Sequence, residues 1–375
     1  MVVEASYVGN RGIWWQAPGL LNYNAISYDR MKAFGLDPIN SAADRTLLVS
    51  TLSSPIAAAR GFNQPPYPGF PLSQTVFQSL RPFPQFTTIA VAWDPLGKTW
   101  YDSLQAKVTK RLSHGLSLGS SFTWQKNLIM GAEREPNFGT DPSGQVNDVF
   151  NRGNAKYISQ YDQPLIFLID ATYITPRIPT NKVVSWLTRD WTFGTFLAYR
   201  SGLPLIVPNA QSSPGLANLL GQTTFANRVP GLPLFTVDLN CHCYDPRNVF
   251  VLNAKAWADP PPGTFGTAAA YYSDYREQRR PQEQLNFGRT FRIKERVSLN
   301  IRAEFTDIFN RSFIPSPGTG PTTVGGTPTI LNLTNATATT YVRNPNGTTA
   351  SGFGALLNLA PIPARQGNLV ARITF

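Results

Sequence analysis

The chain has 375 residues, 42% hydrophobic and 15% charged, with 33 Lys and Arg against 22 Asp and Glu for a formal net charge of +11. No stretch approaches the roughly 18 apolar residues of a transmembrane helix, which leaves open membrane strands, whose alternation does not raise a hydropathy average. The cations are scattered and come without zinc-finger, helix-turn-helix or RNP-type patterns, so the charge gives no case for nucleic acid.

Taken in order, Met1 runs directly into strand-like residues 2–9, with no signal peptide, as expected of a fragment or a truncated reading frame. Asn10, Arg11 and Gly12 read as a turn, and the chain to about Thr99 has Pro-rich runs and no sustained period, as a long connection with short local helices would. Residues 100–112 and 116–126 then alternate around Ser113-His114-Gly115, which predicts a hairpin. Residues 128–163 are polar and irregular, 164–175 and 191–203 read as strands, and a connection of nearly eighty residues follows.

The clearest alternation comes next. From Val297 the odd positions are apolar (Val297, Leu299, Ile301, Ala303, Phe305) and the even ones polar (Ser298, Asn300, Arg302, Glu304, Thr306), the mark of a strand with two unlike faces. Upstream, Leu285, Phe287, Phe291 and Ile293 form a second apolar row, broken at Arg289. Segments 283–293 and 296–309 therefore pair through a tight turn. After a Thr-, Asn-, Gly- and Pro-rich connection, 367–375 places Leu369, Ala371, Ile373 and Phe375 on one face.

The connections run long, short, long, medium, long, short, long. In an antiparallel sheet alternate connections lie at opposite ends, so every long one falls on the same side. That sorting, strands of about 9–11 residues, and Trp or Tyr at strand ends (Trp100, Tyr101, Trp124, Tyr173, Trp191, Tyr199) predict an all-β fold. The expected architecture is an antiparallel transmembrane β-barrel segment of eight strands with long extracellular loops, an incomplete barrel in the bacterial outer membrane.

Two motifs suggest chemistry. Gly115-Leu116-Ser117-Leu118-Gly119 matches a nucleophile elbow, but the alternation continues as a strand where that motif needs a helix. Cys241-His242-Cys243 lacks the second pair of ligands that a closed zinc site wants, and admits a disulfide in an oxidising compartment. No catalytic residue, metal or cofactor is assigned, and the chain is read as a non-enzyme. Arg276, Arg279 and Arg280 are candidate contacts to lipopolysaccharide phosphates.

Residues 100–124 resemble a hairpin of Oar-like TonB-dependent transporters, with its Tyr-x-Ser-Leu-Gln strand and Phe-Thr-Trp return. RSGLPL (200–205) is similar to that family's Gln-Ser-Gly-x-Pro segment, 291–313 to its Arg-Ala-Glu strand pair, and 363–375 to its aromatic ending. The resemblance implies the C-terminal barrel portion of a transporter, with plug and TonB box preceding Met1, and barrels of that kind close with about 22 strands. It implies uptake of a ligand, coupling to TonB through the missing plug, and contact with outer-membrane lipid. An alternating C-terminal strand ending in Phe375 resembles the signal read by the barrel-assembly machinery. The alternatives are a self-contained eight-stranded barrel and a soluble glycan-binding β-sandwich, whose apolar faces would pack against a second sheet.

Overall fold

The computed structural model describes residues 1–17, 20–87, 94–131, 148–177, 181–208, 225–241, 243–261, 263–294, 297–311, 341–356 and 365–375, with 89, 314, 316–318, 322–324 and 327–329 between them. Eight long strands form one antiparallel sheet: β1 (Val2–Trp15), β2 (Gly97–Ser113), β3 (Leu116–Met130), β4 (Leu165–Ile174), β5 (Trp191–Arg200), β6 (Arg280–Lys294), β7 (Val297–Thr306) and β8 (Gln366–Thr374). Each pairs with its neighbours in chain order, and a short strand, Lys156–Ile158, adds to the end of β3. Among the described residues no pairing joins β1 to β8, so the sheet is open.

Cross-strand register decides what the sheet presents. Tyr7, Leu104, Trp124 and Leu165 are successive partners, as are Ala106, Phe122, Phe167 and Tyr199. So are Tyr173, Phe193, Phe287, Ala303 and Leu369. Every strand thus contributes its apolar row to the same face, because a slip of one residue would exchange the two faces. Phe122 meets Phe167 edge-on at 6.4 Å and Phe287 stacks on Phe305 at 6.1 Å, contacts worth about 0.2–1 kcal/mol each.

Among the described residues no second sheet covers this face. Trp124 is 60% exposed, Leu369 79% and Ile373 63%. The sandwich reading is therefore corrected: such a fold would bury these side chains, and here they stand outward.

Strand ends differ from the sequence reading: β2 begins at Gly97 and not 100, β5 stops at Arg200 and not 203, and β7 stops at Thr306 and not 309. β1 continues through Asn10–Arg11–Gly12, which pair with Tyr101, Trp100 and Thr99 instead of turning. β3 runs on to Met130, since Leu128 and Ile129 remain laddered to β2, and β6 begins at Arg280. The β2–β3 turn has positive φ at His114 (52°) and Gly115 (79°), the conformation that two-residue hairpins require. The turn after Lys294 lies outside the described residues.

All short turns lie at one end of the sheet. The long connections, 16–96, 131–164, 201–279 and 307–365, leave from the other end, and their described residues are not bare loops. Helices α1 (Tyr28–Ala33), α2 (Ala42–Val49), α3 (Pro55–Ala59) and α4 (Val76–Ser79) bury Met31, Leu36, Leu47, Leu48, Leu52, Phe70 and Phe77 in one core. Ser27, Ser41, Ser54 and Thr75 each cap one helix by accepting a backbone N–H from three residues on. At Asp37, hydrogen bonds from Asn40 and Tyr28 hold the carboxyl down to about 2. A second core gathers Trp257, Tyr275, Phe225, Phe353 and Leu252, and reaches the sheet at Ile129 and Tyr157.

Leu52 is fully buried, so Leu52→Ala removes packing worth about 2–5 kcal/mol. Hydrogen exchange of the protein in detergent is expected to show lost amide protection across 28–80 with the β2–β3 ladder unchanged.

Candidate functional site

Where β3, β5 and β6 leave the sheet at the long-connection end, one ion pair ties the 131–164 and 201–279 connections to each other and to the end of β3. The Asp162 carboxylate, 2% exposed, accepts from Arg276 Nη2 at 2.5 Å and from the Asn127 backbone N–H at 2.7 Å. Arg276 Nη1 donates to the carbonyls of Asp162 (2.6 Å) and Gly202 (3.3 Å), and Nε to that of Ser273 (2.8 Å). Burial without such partners would cost several kcal/mol for each charge. Gly202 is needed here for space: a Cβ would lie 1.9 Å from the Glu277 carbonyl oxygen. The short strands Pro204–Ile206 and Tyr271–Arg276 pair just beyond.

Two adjoining cavities open beside this clamp and share Ser201, Asn240 and Arg279. The smaller, about 260 Å³, is bordered by Asp238, Asp274 and Glu277 as well as Arg276 and Arg279. The larger, about 1060 Å³, is a groove on the sheet's apolar face, floored by Phe122, Leu165, Phe167 and Tyr199 of the same rows that stand outward. Along its polar side Arg200, Arg279, Arg280 and Arg311 outnumber Glu283 and Asp307. The one cavity is therefore acidic and the other basic.

Their charged walls are internally braced. Arg228 grips Asp274 through two bonds, 2.6 and 3.2 Å, which raises its own pKa above the usual arginine range. The Glu283 side chain, 1% exposed, accepts from Arg311 Nε at 2.9 Å and from the Tyr199 hydroxyl at 3.0 Å. Asn240 accepts the Arg279 backbone N–H at 3.0 Å and stands next to a Cys241–Cys243 disulfide. That bond takes up both sulfurs; His242 lies outside the described residues. Desolvation raises the Tyr244 hydroxyl to about 12 and pushes the Tyr275 hydroxyl well above the ordinary range.

The three arginines grouped by sequence do different work. Arg276 is the buried clamp on Asp162, and Arg280 is paired with Glu277. Arg279 is exposed and borders both cavities. Sequence reasoning missed Asp162, which lies 114 positions from its partner and carries no local signal. Ser117 sits within β3 with no helix after it. Leu369, Ala371 and Ile373 share the apolar face of β8, and Phe375 beyond it is 94% exposed.

Asp162→Asn keeps an acceptor for Asn127 but leaves the Arg276 charge buried without a counterion, at a cost of about 3–5 kcal/mol. Hydrogen exchange is expected to speed up at 201–206 and 271–278 together while α1–α4 stay protected.

A family model described as an outer membrane beta barrel domain matches residues 1–355. No curated protein and no solved structure matches the chain. An antiparallel sheet with one outward apolar face, short turns at one end and packed connections at the other accords with that family's place in a bilayer: the chain belongs to the outer membrane beta barrel domain family, and its location is the bacterial outer membrane.

Proposed function

We propose that this chain is the C-terminal barrel portion of an Oar-like TonB-dependent transporter, with the short-turn end in the periplasm and the long connections outside. The observation that carries the reading is the gathering of every long connection at one end, where their described residues condense into two cores, the second bordering the smaller cavity through Phe235, Val237 and Leu239. Uptake needs a ligand-holding structure on the outer side and nothing comparable on the inner. The chain's work is then binding and gating, with no reaction and no cofactor.

The open sheet supports a larger barrel. β1 and β8 each leave one edge of backbone N–H and C=O groups unpaired in the sheet, and in hydrocarbon each such group costs several kcal/mol. Further strands would satisfy both edges, whereas a self-contained eight-stranded barrel would pair β1 with β8. On this reading the partners are outer-membrane lipid, lipopolysaccharide, the barrel-assembly machinery and, through the plug, TonB. Of the three arginines, Arg279 is the one placed to meet a phosphate.

The deciding experiment takes the full reading frame that contains this chain. Outer-membrane protein retained on immobilised TonB periplasmic domain, and released by a TonB-box peptide, would support the transporter. An outer-membrane protein never retained there would sink that reading while leaving the barrel intact. Separately, removing Phe375 is expected to lower the heat-modifiable, membrane-inserted fraction in the outer membrane; an unchanged fraction would remove its role in assembly.

A further inference from the structure

Arg289 interrupts the apolar row of β6, and its surroundings explain why. Its register partner is Trp191, so both side chains belong to the apolar face, close to the short-turn end. The guanidinium lies over the rings of Trp186 (4.5 Å), Phe291 (4.8 Å) and Trp191 (5.7 Å), and it donates to the Trp186 carbonyl. Arg289 is 6% exposed as a result. Three rings and a carbonyl replace the water that a cation would otherwise need.

Trp186 comes from α5 (Lys182–Thr188), in the connection between β4 and β5, capped by Asn181 accepting from the Val184 N–H at 2.8 Å. Trp191 Nε1 donates to the Leu187 carbonyl at 2.8 Å, a second tie between this helix and the apolar face. At helical spacing Val183, Val184 and Leu187 share one side with Trp186 at its margin, while Ser185 is turned inward and buried. The outward side chains are left open: Val183 is 66% exposed, Leu187 51% and Trp186 49%. Cations flank them, with Arg177 and Lys182 exposed and Arg189 and Arg292 both near Asp190 (3.6 and 3.5 Å).

We propose that α5 is an interfacial anchor, lying in the headgroup–acyl boundary of the phospholipid leaflet beside the short-turn end. Its apolar side extends the lipid-facing surface of the sheet without a break, and the basic residues around it match phosphate headgroups. Arg289 staples it in that plane: the stacked guanidinium holds Trp186 against the sheet, and the other side of the helix faces lipid. The inference rests on the apolar face of the sheet being in the bilayer and on the proposed periplasmic placement of the short-turn end, since the phospholipid leaflet of an outer membrane is the inner one.

Site-directed nitroxide labelling in vesicles of phosphatidylcholine and phosphatidylglycerol tests it. Labels are placed singly at V183C and L187C in a C241S/C243S background, with F193C marking the sheet face and S53C an exposed site among α1–α4. Labels at 183 and 187 are expected to collide with oxygen and to lose the nickel-chelate accessibility of 53, at a depth shallower than 193. Arg289→Ala is expected to raise label mobility at 183 and 187 and leave 193 unchanged; Arg289→Lys, with charge but no planar stacking surface, should do the same. Nickel access at 183 and 187 equal to that at 53, with 193 still lipid-exposed, would overturn the anchor alone. Nickel access at 193 as well would overturn the membrane placement of the sheet and the anchor with it.

Discussion

Register is the constraint from which the rest follows. Once β2–β3 and β6–β7 pair as they do, alternation places every apolar row on one side, and the same pairing sends every long connection to one end. Such a sheet cannot be stable in water, where exposing these rows would cost about 25 cal/mol for each Å² left uncovered. It needs an apolar solvent. The lipid bilayer is that solvent, and the outward aromatics that would be a liability on a soluble protein become its contact surface.

The same logic separates what could be read in the sequence from what could not. Period-two alternation survives translation into a strand because each residue's face depends on position alone, so 100–112 and 297–306 were legible without any partner. The helices at the other end were not. With four to eight residues each they are too short to display a helical period, although Ser27, Ser41, Ser54 and Thr75 stand as cap signals before each one. The second core draws on residues from Ala17 to Leu356, and no local pattern announces contacts across such separations.

Single residues show the limit more sharply. Arg276 reads as one of three solvated arginines, yet a carboxylate far away in the chain makes it a buried clamp. Arg289 reads as a flaw in an apolar row, yet a seven-residue helix supplies the rings that cover it. In both cases the chemistry of the residue is plain from the sequence, and its partner exists only after the sheet has formed.

Charges on the apolar face complete the argument, because the chain itself supplies their partners. In β2, Asp102 and Lys110 bracket Leu104, Ala106 and Val108; in β6, Glu283 and Arg289 bracket Leu285 and Phe287. Each has a partner. Both carboxylate oxygens of Asp102 accept from Arg11 Nη2 (2.9 and 3.0 Å) and one also from the Tyr7 hydroxyl, Lys110 reaches the Ser113 carbonyl, Glu283 holds Arg311 and Tyr199, and Arg289 lies among aromatic rings. An unpaired charge in hydrocarbon is costly, and these partners lower that cost. The apolar row of β6 resumes beyond Arg289 at Phe291 and Ile293, so that cation lies inside the band, and the rings of Trp186, Trp191 and Phe291 are what make it tolerable there.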